Sequence, residues 1–208
     1  MLNKLLSEIS LEGGSLDQIR HLFQMFASEH SSTIKDPPLA TDEEYEEFSN
    51  KIAHAIGLVC EKGIFFKDAL GLSNENMEAF YAWGFQFFEK KQFGEALQLF
   101  KVLTILDPLQ WKYRYAVATT LHRQKNYQDA AKAYITSSML KPDSYTPLPH
   151  YYAADCYIEM QDNYSAIMML HLCIHCCNPE DGAHVIIRER AELLKQALEE
   201  KFSSPIKG

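Results

Sequence analysis

Along the middle of this chain, large and small apolar residues fall into a pattern that repeats with a long, fixed period. Within residues 77–110, Phe80, Trp83, Gly84 and Phe87 stand at three- and four-residue steps, and Ala96 and Phe100 follow before Pro108 closes the stretch. Such steps place the apolar residues on one face of each of two helices. Residues 111–144 repeat the set with Ala118, Leu121, Ala130, Tyr134 and Pro142, the last standing 34 residues after Pro108. A weaker third copy spans residues 147–178 with Ala154, Tyr157, Ala166 and Leu170, and Pro179 arrives one residue late. Each position has a steric reason. Gly84 and Ala96 sit where the paired helices approach most closely, so only a small residue allows close packing there, and Phe80, Trp83 and Phe100 fill the remaining gap. One such hairpin cannot cover its own apolar face, whereas three in series cover one another.

A 34-residue helix-turn-helix period is that of tetratricopeptide repeats. The expected fold is all-α: three tandem tetratricopeptide repeats forming an α-solenoid, with N-terminal helices before them and a C-terminal capping helix after them. The flanks fit this plan. Residues 2–10 read as a short helix stopped at Gly13-Gly14, and Ser15 with Gln18 reads as a capping box opening a helix to about residue 29, with Leu16, Ile19, Leu22, Phe23 and Phe26 on its apolar side. Residues 31–40, containing Pro37-Pro38, form a linker. Thr41 with Glu44 makes a second capping box, opening a helix that carries Tyr45, Phe48, Ile52, Ala55, Ile56 and Val59 and stops at Gly63. A last helix, over about residues 183–201, carries Val185, Ile186, Ala191, Leu194 and Leu198 and is expected to cap the third repeat. The boundaries are therefore 1–40 for an extension and linker, 41–76 for the amphipathic helix and leader, 77–180 for the repeats, and 181–208 for the cap and tail.

Charge narrows the class of partner. The 208 residues are 47% apolar and carry a net charge of -8, but the acidity is local: residues 1–62 hold 11 acidic and 5 basic side chains, whereas residues 77–178 hold 9 of each. Without a Lys/Arg stripe, neither nucleic acid nor direct membrane binding is expected. The longest apolar runs, residues 55–60 and 167–177, are too short or too polar to span a bilayer. Residues 1–16 offer one basic side chain, Lys4, beside Glu8 and Glu12, so no secretory signal is expected. Five cysteines, four of them in repeat helices, point to a reduced, cytoplasmic setting.

One cluster has the residue types of a metal site. His171, Cys173, His175, Cys176 and Cys177 lie within seven residues, with His184 nearby, and thiolate and imidazole both bind zinc. The spacing is poor for that chemistry: Cys173 takes the small-residue packing position, and Cys176 and Cys177 lie about 100° apart around the helix axis. No metal and no cofactor is expected. There is no Gly-rich phosphate loop and no nucleophile elbow, and His30, His54, His122 and His150 are scattered without an evident catalytic partner, so the chain is not expected to be an enzyme.

Binding is expected on the inner helices. In repeats of this kind the first helix of each pair lines a concave face, through offsets 2, 5, 9 and 12 of the unit. These offsets select Tyr81, Phe85 and Phe88 from the first repeat, Tyr115, Thr119 and His122 from the second, and Tyr151 and Ile158 from the third. The predicted groove is aromatic and suits an extended peptide with spaced Pro, Leu or Val residues, because such a peptide cannot fold its apolar side chains away. A clamp for a C-terminal carboxylate would need Lys and Asn one turn apart on the first helix. Tyr81 and Phe85 stand there instead, although Lys112 and Arg123 are available to an acidic ligand.

The run Gly63-Ile64-Phe65-Phe66-Lys67-Asp68-Ala69-Leu70-Gly71-Leu72-Ser73, followed by Met77-Glu78-Ala79-Phe80-Tyr81-Ala82-Trp83-Gly84, resembles the entry to the repeats in class II chaperones of bacterial type III secretion. The likeness continues through Lys91-Gln92-Phe93-Gly94-Glu95-Ala96, Leu106-Asp107-Pro108, Asn126-Tyr127-Gln128-Asp129-Ala130 and Ala153-Ala154-Asp155-Cys156, covering roughly residues 42–180. Single repeat positions are shared by all tetratricopeptide proteins, so the leader, the repeat count and the start of the third unit carry the resemblance. It implies a cytoplasmic, non-enzymatic chaperone that holds an extended N-terminal segment of hydrophobic translocator proteins, and a homodimer formed through the N-terminal helix. Tyr45, Phe48, Ile52, Ile56 and Val59 are the self-association candidates. Asp42, Glu43, Glu44, Glu46 and Glu47 would repel their copies in a parallel pair and favour an antiparallel one, unless the helix around residues 16–26 folds back over the stripe. A generic scaffold bridging folded partners is the alternative reading.

Overall fold

The computed structural model describes residues 42–141 and 146–203, with backbone alone for residues 42–49, 51, 52, 202 and 203. The expectations for residues 1–41, including both proposed helices there and the Thr41 cap, and for Pro142 lie outside the described residues. Among those described, every regular element is an α-helix. Two compact units divide the chain, Met1–Pro108 and Leu109–Gly208.

The first unit holds α1 (Asp42–Lys62), α2 (Phe66–Ala69), α3 (Asn74–Glu89) and α4 (Phe93–Leu106). Gly63 ends α1 at φ 66°, and its N–H donates to the Val59 carbonyl at 3.0 Å. This left-handed stop costs glycine little because it has no Cβ. Ser73 caps α3: its hydroxyl accepts from the Asn76 N–H, and the Asn76 side chain accepts from the Ser73 N–H. Packing of α3 on α4 turns on Gly84. A Cβ there would lie 2.6 Å from Cε1 of Phe100, whose ring is fully buried, so the two helices approach too closely for any side chain at that point. Phe80, Trp83, Phe87, Ala96 and Leu99 are buried around this contact, as are Met77, Leu103 and Leu106. Lys67 then bridges to Asp107 at 2.7 Å, with both side chains largely buried, and so ties the short α2 to the end of α4.

The second unit holds α5 (Trp111–Arg123), α6 (Tyr127–Leu140), α7 (Pro147–Glu159), α8 (Asn163–His175) and α9 (Gly182–Ser203). Successive helices pack on one another. Ala118, Ala130, Ala154 and Ala166, the predicted close-approach residues, are all fully buried, as are Tyr134 and Leu170. Pro147 opens α7, where its missing N–H costs nothing. The last core joins Ala154, Ala166, Leu170 and Cys173 to Ala191 and Leu198 of α9. The capping role of α9 thus rests on Ile187, Ala191, Leu194 and Leu198, which follow one another at steps of four, three and four. Val185 and Ile186, expected on that face, are exposed, because they sit two and one positions before Ile187 and so point off the stripe.

Each repeat turns on a non-glycine residue in the left-handed region: Lys91 at φ 62°, Lys125 at φ 63° and Gln161 at φ 62°. In each turn the next N–H reaches back five residues, from Gln92 to Phe87, Asn126 to Leu121 and Asp162 to Tyr157, all at 2.9 Å. Paired with the shorter bonds from Lys91 to Phe88, Lys125 to His122 and Gln161 to Ile158, this is the Schellman arrangement.

Two outcomes are expected from urea unfolding. Gly84→Ala should destabilise the protein by about 1–3 kcal/mol through overpacking, and Phe100→Leu in the same chain should recover part of the loss; unchanged stability of the Gly84→Ala variant would contradict the close approach. Lys125→Gly should instead stabilise by roughly 0.5–1 kcal/mol, since glycine occupies left-handed backbone without strain.

Candidate peptide-binding surface

In the first unit, the inner helix α3 presents Phe85, 47% exposed, with Tyr81 and Phe88 half-buried beside it. Tyr81 leans on the Phe100 ring, with centroids 5.6 Å apart, and burial pushes its hydroxyl pKa up. Phe85 stacks on Phe88 at 6.2 Å, and Phe88 meets Phe93 edge-on at 5.4 Å. The three predicted residues thus form one aromatic surface, anchored at one end by a core ring.

In the second unit the same construction recurs. Tyr115 meets Tyr134 edge-on at 5.5 Å and also touches Trp111. Thr119 donates to the Tyr115 carbonyl and receives the Tyr134 hydroxyl at 3.4 Å. His122 places Nδ1 3.4 Å from the same hydroxyl and Nε2 3.4 Å from the Asp155 carboxylate. Tyr134 is buried enough that its pKa is raised far above the usual phenol range, so it remains a neutral donor. Tyr151 and Ile158 are half-buried and pack against the core under α9, so only their outer edges face solvent. Two residues beyond the predicted set belong to this surface. Tyr152 stacks on Tyr134 at 5.6 Å and meets His122 at 6.4 Å, and Asp155 faces His122. Asp155 occupies offset 9 of its unit and was legible by position; a search for aromatic residues passes over it.

The predicted self-association stripe is described only in part. Ala55 is buried, Val59 half-buried and Ile56 exposed, while the side chains of Tyr45, Phe48 and Ile52 lie outside the described residues. Among the described residues no helix is long and apolar enough to cross a membrane.

The cysteine cluster does structural work. Cys173 is fully buried at the packing position, and burial pushes its thiol pKa up to about 12. Cys177 donates to the Cys173 carbonyl at 3.2 Å, whereas His171 and His175 are exposed. Among the described residues no group of three or more His, Cys, Asp or Glu side chains is placed to hold a metal ion.

With this geometry in view, comparison with known proteins places the fold. The tetratricopeptide repeat family model matches residues 77–108 and 112–141. The fold is that of a tetratricopeptide-repeat protein. Chaperone protein SicA of Salmonella typhimurium is 24% identical over 111 residues, which is 53% of this chain and 66% of the length of SicA. Among solved structures, a chain of a T3SS complex from Aeromonas hydrophila matches with a TM-score of 0.64 at 18% identity, covering 72% of this chain and 97% of that one. The Yersinia enterocolitica type III secretion chaperone SycD, in complex with a peptide of the translocator YopD, matches with a TM-score of 0.57 at 18% identity, covering 62% of this chain and 96% of its own. At these identities the likeness establishes a shared fold.

Burial orders the cysteines by reactivity. Cys60 is exposed, while Cys156 and Cys173 are buried with thiol pKa values pushed up to about 12. A disulfide reagent at neutral pH should label Cys60 first and reach Cys156 and Cys173 only on unfolding, because the thiolate is the nucleophile. Mass spectrometry of the partly labelled protein checks this, and early labelling of Cys173 would contradict its place in the core.

Proposed function

We propose that this chain is a type III secretion chaperone that holds an extended segment, near the N-terminus of hydrophobic translocator proteins, on the inner helices of its repeats. Binding keeps those proteins soluble and competent for export. The observation that carries this reading is the aromatic surface of α3, with Phe85 open to solvent, in a fold shared with a chaperone that was solved holding a translocator peptide. Aromatic rings fixed by core neighbours offer apolar area without losing side-chain freedom on binding, which suits a ligand that must itself be ordered. The role is that of a holding protein in the bacterial cytoplasm and needs no catalytic group. Self-association through α1 belongs to the same proposal. Burying a side chain such as Ile56 is worth about 1.5–3 kcal/mol, so the exposed part of the α1 stripe favours a covering partner.

Co-expression with the neighbouring translocator genes, followed by identification of what co-purifies, tests the client class. Replacing Tyr81, Phe85 and Tyr115 together by Ala should weaken client binding by more than about tenfold while helical circular dichroism persists. Unchanged affinity in the folded variant would remove the inner helices from the reading. Light scattering on the full chain should report a dimer, and Ile56→Glu should shift it towards monomer; a monomeric full chain would refute self-association.

A further inference from the structure

We infer that the second unit carries a seat for one cationic side chain, Lys or Arg, of the bound segment, formed by Asp155 and the aromatic rings around His122. This rests on the reading that an extended segment occupies the inner helices. His122 lies in the last turn of α5, and its ring meets Tyr127 at 5.7 Å, Tyr134 at 6.0 Å and Tyr152 at 6.4 Å, all near edge-on. Tyr151 meets Tyr152 at 5.9 Å. Beside these rings, the Asp155 carboxylate lies 3.4 Å from His122 Nε2 and is 49% exposed. Burial raises the Tyr127 and Tyr151 hydroxyl pKa values, and the Asp155 charge adds to both; Glu159 adds further to Tyr127 by charge and by a hydrogen bond. The two carboxylates therefore neighbour Tyr127, Tyr151 and Tyr152, with the buried Tyr134 ring behind them.

Asp155 and Glu159 are the acidic residues of α7, a helix without Lys or Arg; among cations, Arg123 follows His122 on α5, and the charge of Arg190 on α9 is felt at Tyr151. His122 occupies one side of the Asp155 carboxylate, and the exposed side can accept from a further donor. An aliphatic side chain placed here would strip water from a carboxylate with no return, and an acidic one would be repelled. An ammonium or guanidinium group instead gains a charge-assisted bond from Asp155 and attraction from the tyrosine faces. At the offset that Asp155 occupies, the first unit presents the Phe85 ring, so the two places differ in what they offer a ligand.

The test uses the full chain and synthetic extended peptides with spaced Pro and Leu residues, in which each position in turn is Lys, Arg, Ala or Glu, titrated by fluorescence anisotropy. At one position Lys or Arg should bind about tenfold more tightly than Ala. In Asp155→Asn that ratio should fall to about one, and in Asp155→Lys the preference should turn to Glu, with circular dichroism confirming the fold of both. Raising salt should erode the ratio. Peptides that bind without any cation preference, or a preference that survives in Asp155→Asn, would overturn the seat and leave the proposed function standing. Failure of every peptide to bind would overturn both.

Discussion

The close approach of the two helices within a repeat is the constraint on which the rest depends. At Gly84 the backbone of α3 comes so near the Phe100 ring that a Cβ would collide with it. That contact fixes more than the core. Phe100 also carries Tyr81, and 34 residues later Tyr134 carries Tyr115, with ring separations of 5.6 and 5.5 Å. The outer helix therefore supplies, from the same buried ring, both the wedge that sets helix spacing and the backing for an inner-face tyrosine. Core packing and the placement of these tyrosines are one arrangement, so a change that loosens the first blurs the second.

This economy explains why the inner face is aromatic. A tyrosine whose ring is held edge-on by a core neighbour has spent its rotamer freedom in folding, and little remains to be lost when a peptide arrives. Tyr134 shows the coupling at its strongest: the ring is buried, while the hydroxyl stands between Thr119 and His122 and links the core to two polar groups of the inner helix.

The repeat positions were legible because each demands a particular size. Gly84, Ala118, Ala130, Ala154 and Ala166 stand out by smallness against large neighbours, and all are buried where the period places them. The turns were not legible, since Lys91, Lys125 and Gln161 are ordinary surface residues, and their left-handed backbone is imposed by the helices on either side rather than chosen by the side chain. The Lys67 to Asp107 bridge was hidden for another reason: its partners are 40 residues apart, and local pattern carries no information about such pairs. On α9 the stripe was misassigned at Val185 and Ile186 because apolar character was counted without the helical angle that excludes them.

Where the repeats depart from one another, chemistry enters. Offset 9 of the inner helix is Phe85 in the first unit, Thr119 in the second and Asp155 in the third: an open ring, a bonded hydroxyl and a half-exposed carboxylate at equivalent places. The backbone that presents them is held by the same turns and the same small residues, so the variation costs the fold little. The third repeat is also the least regular, with its turn residue 36 positions after the preceding one rather than 34, and its core closed by α9 instead of a further hairpin. Specificity is a difference of affinities, so on the proposed reading discrimination among extended ligands would rest on a position such as this one, where the repeats differ, rather than on those they share.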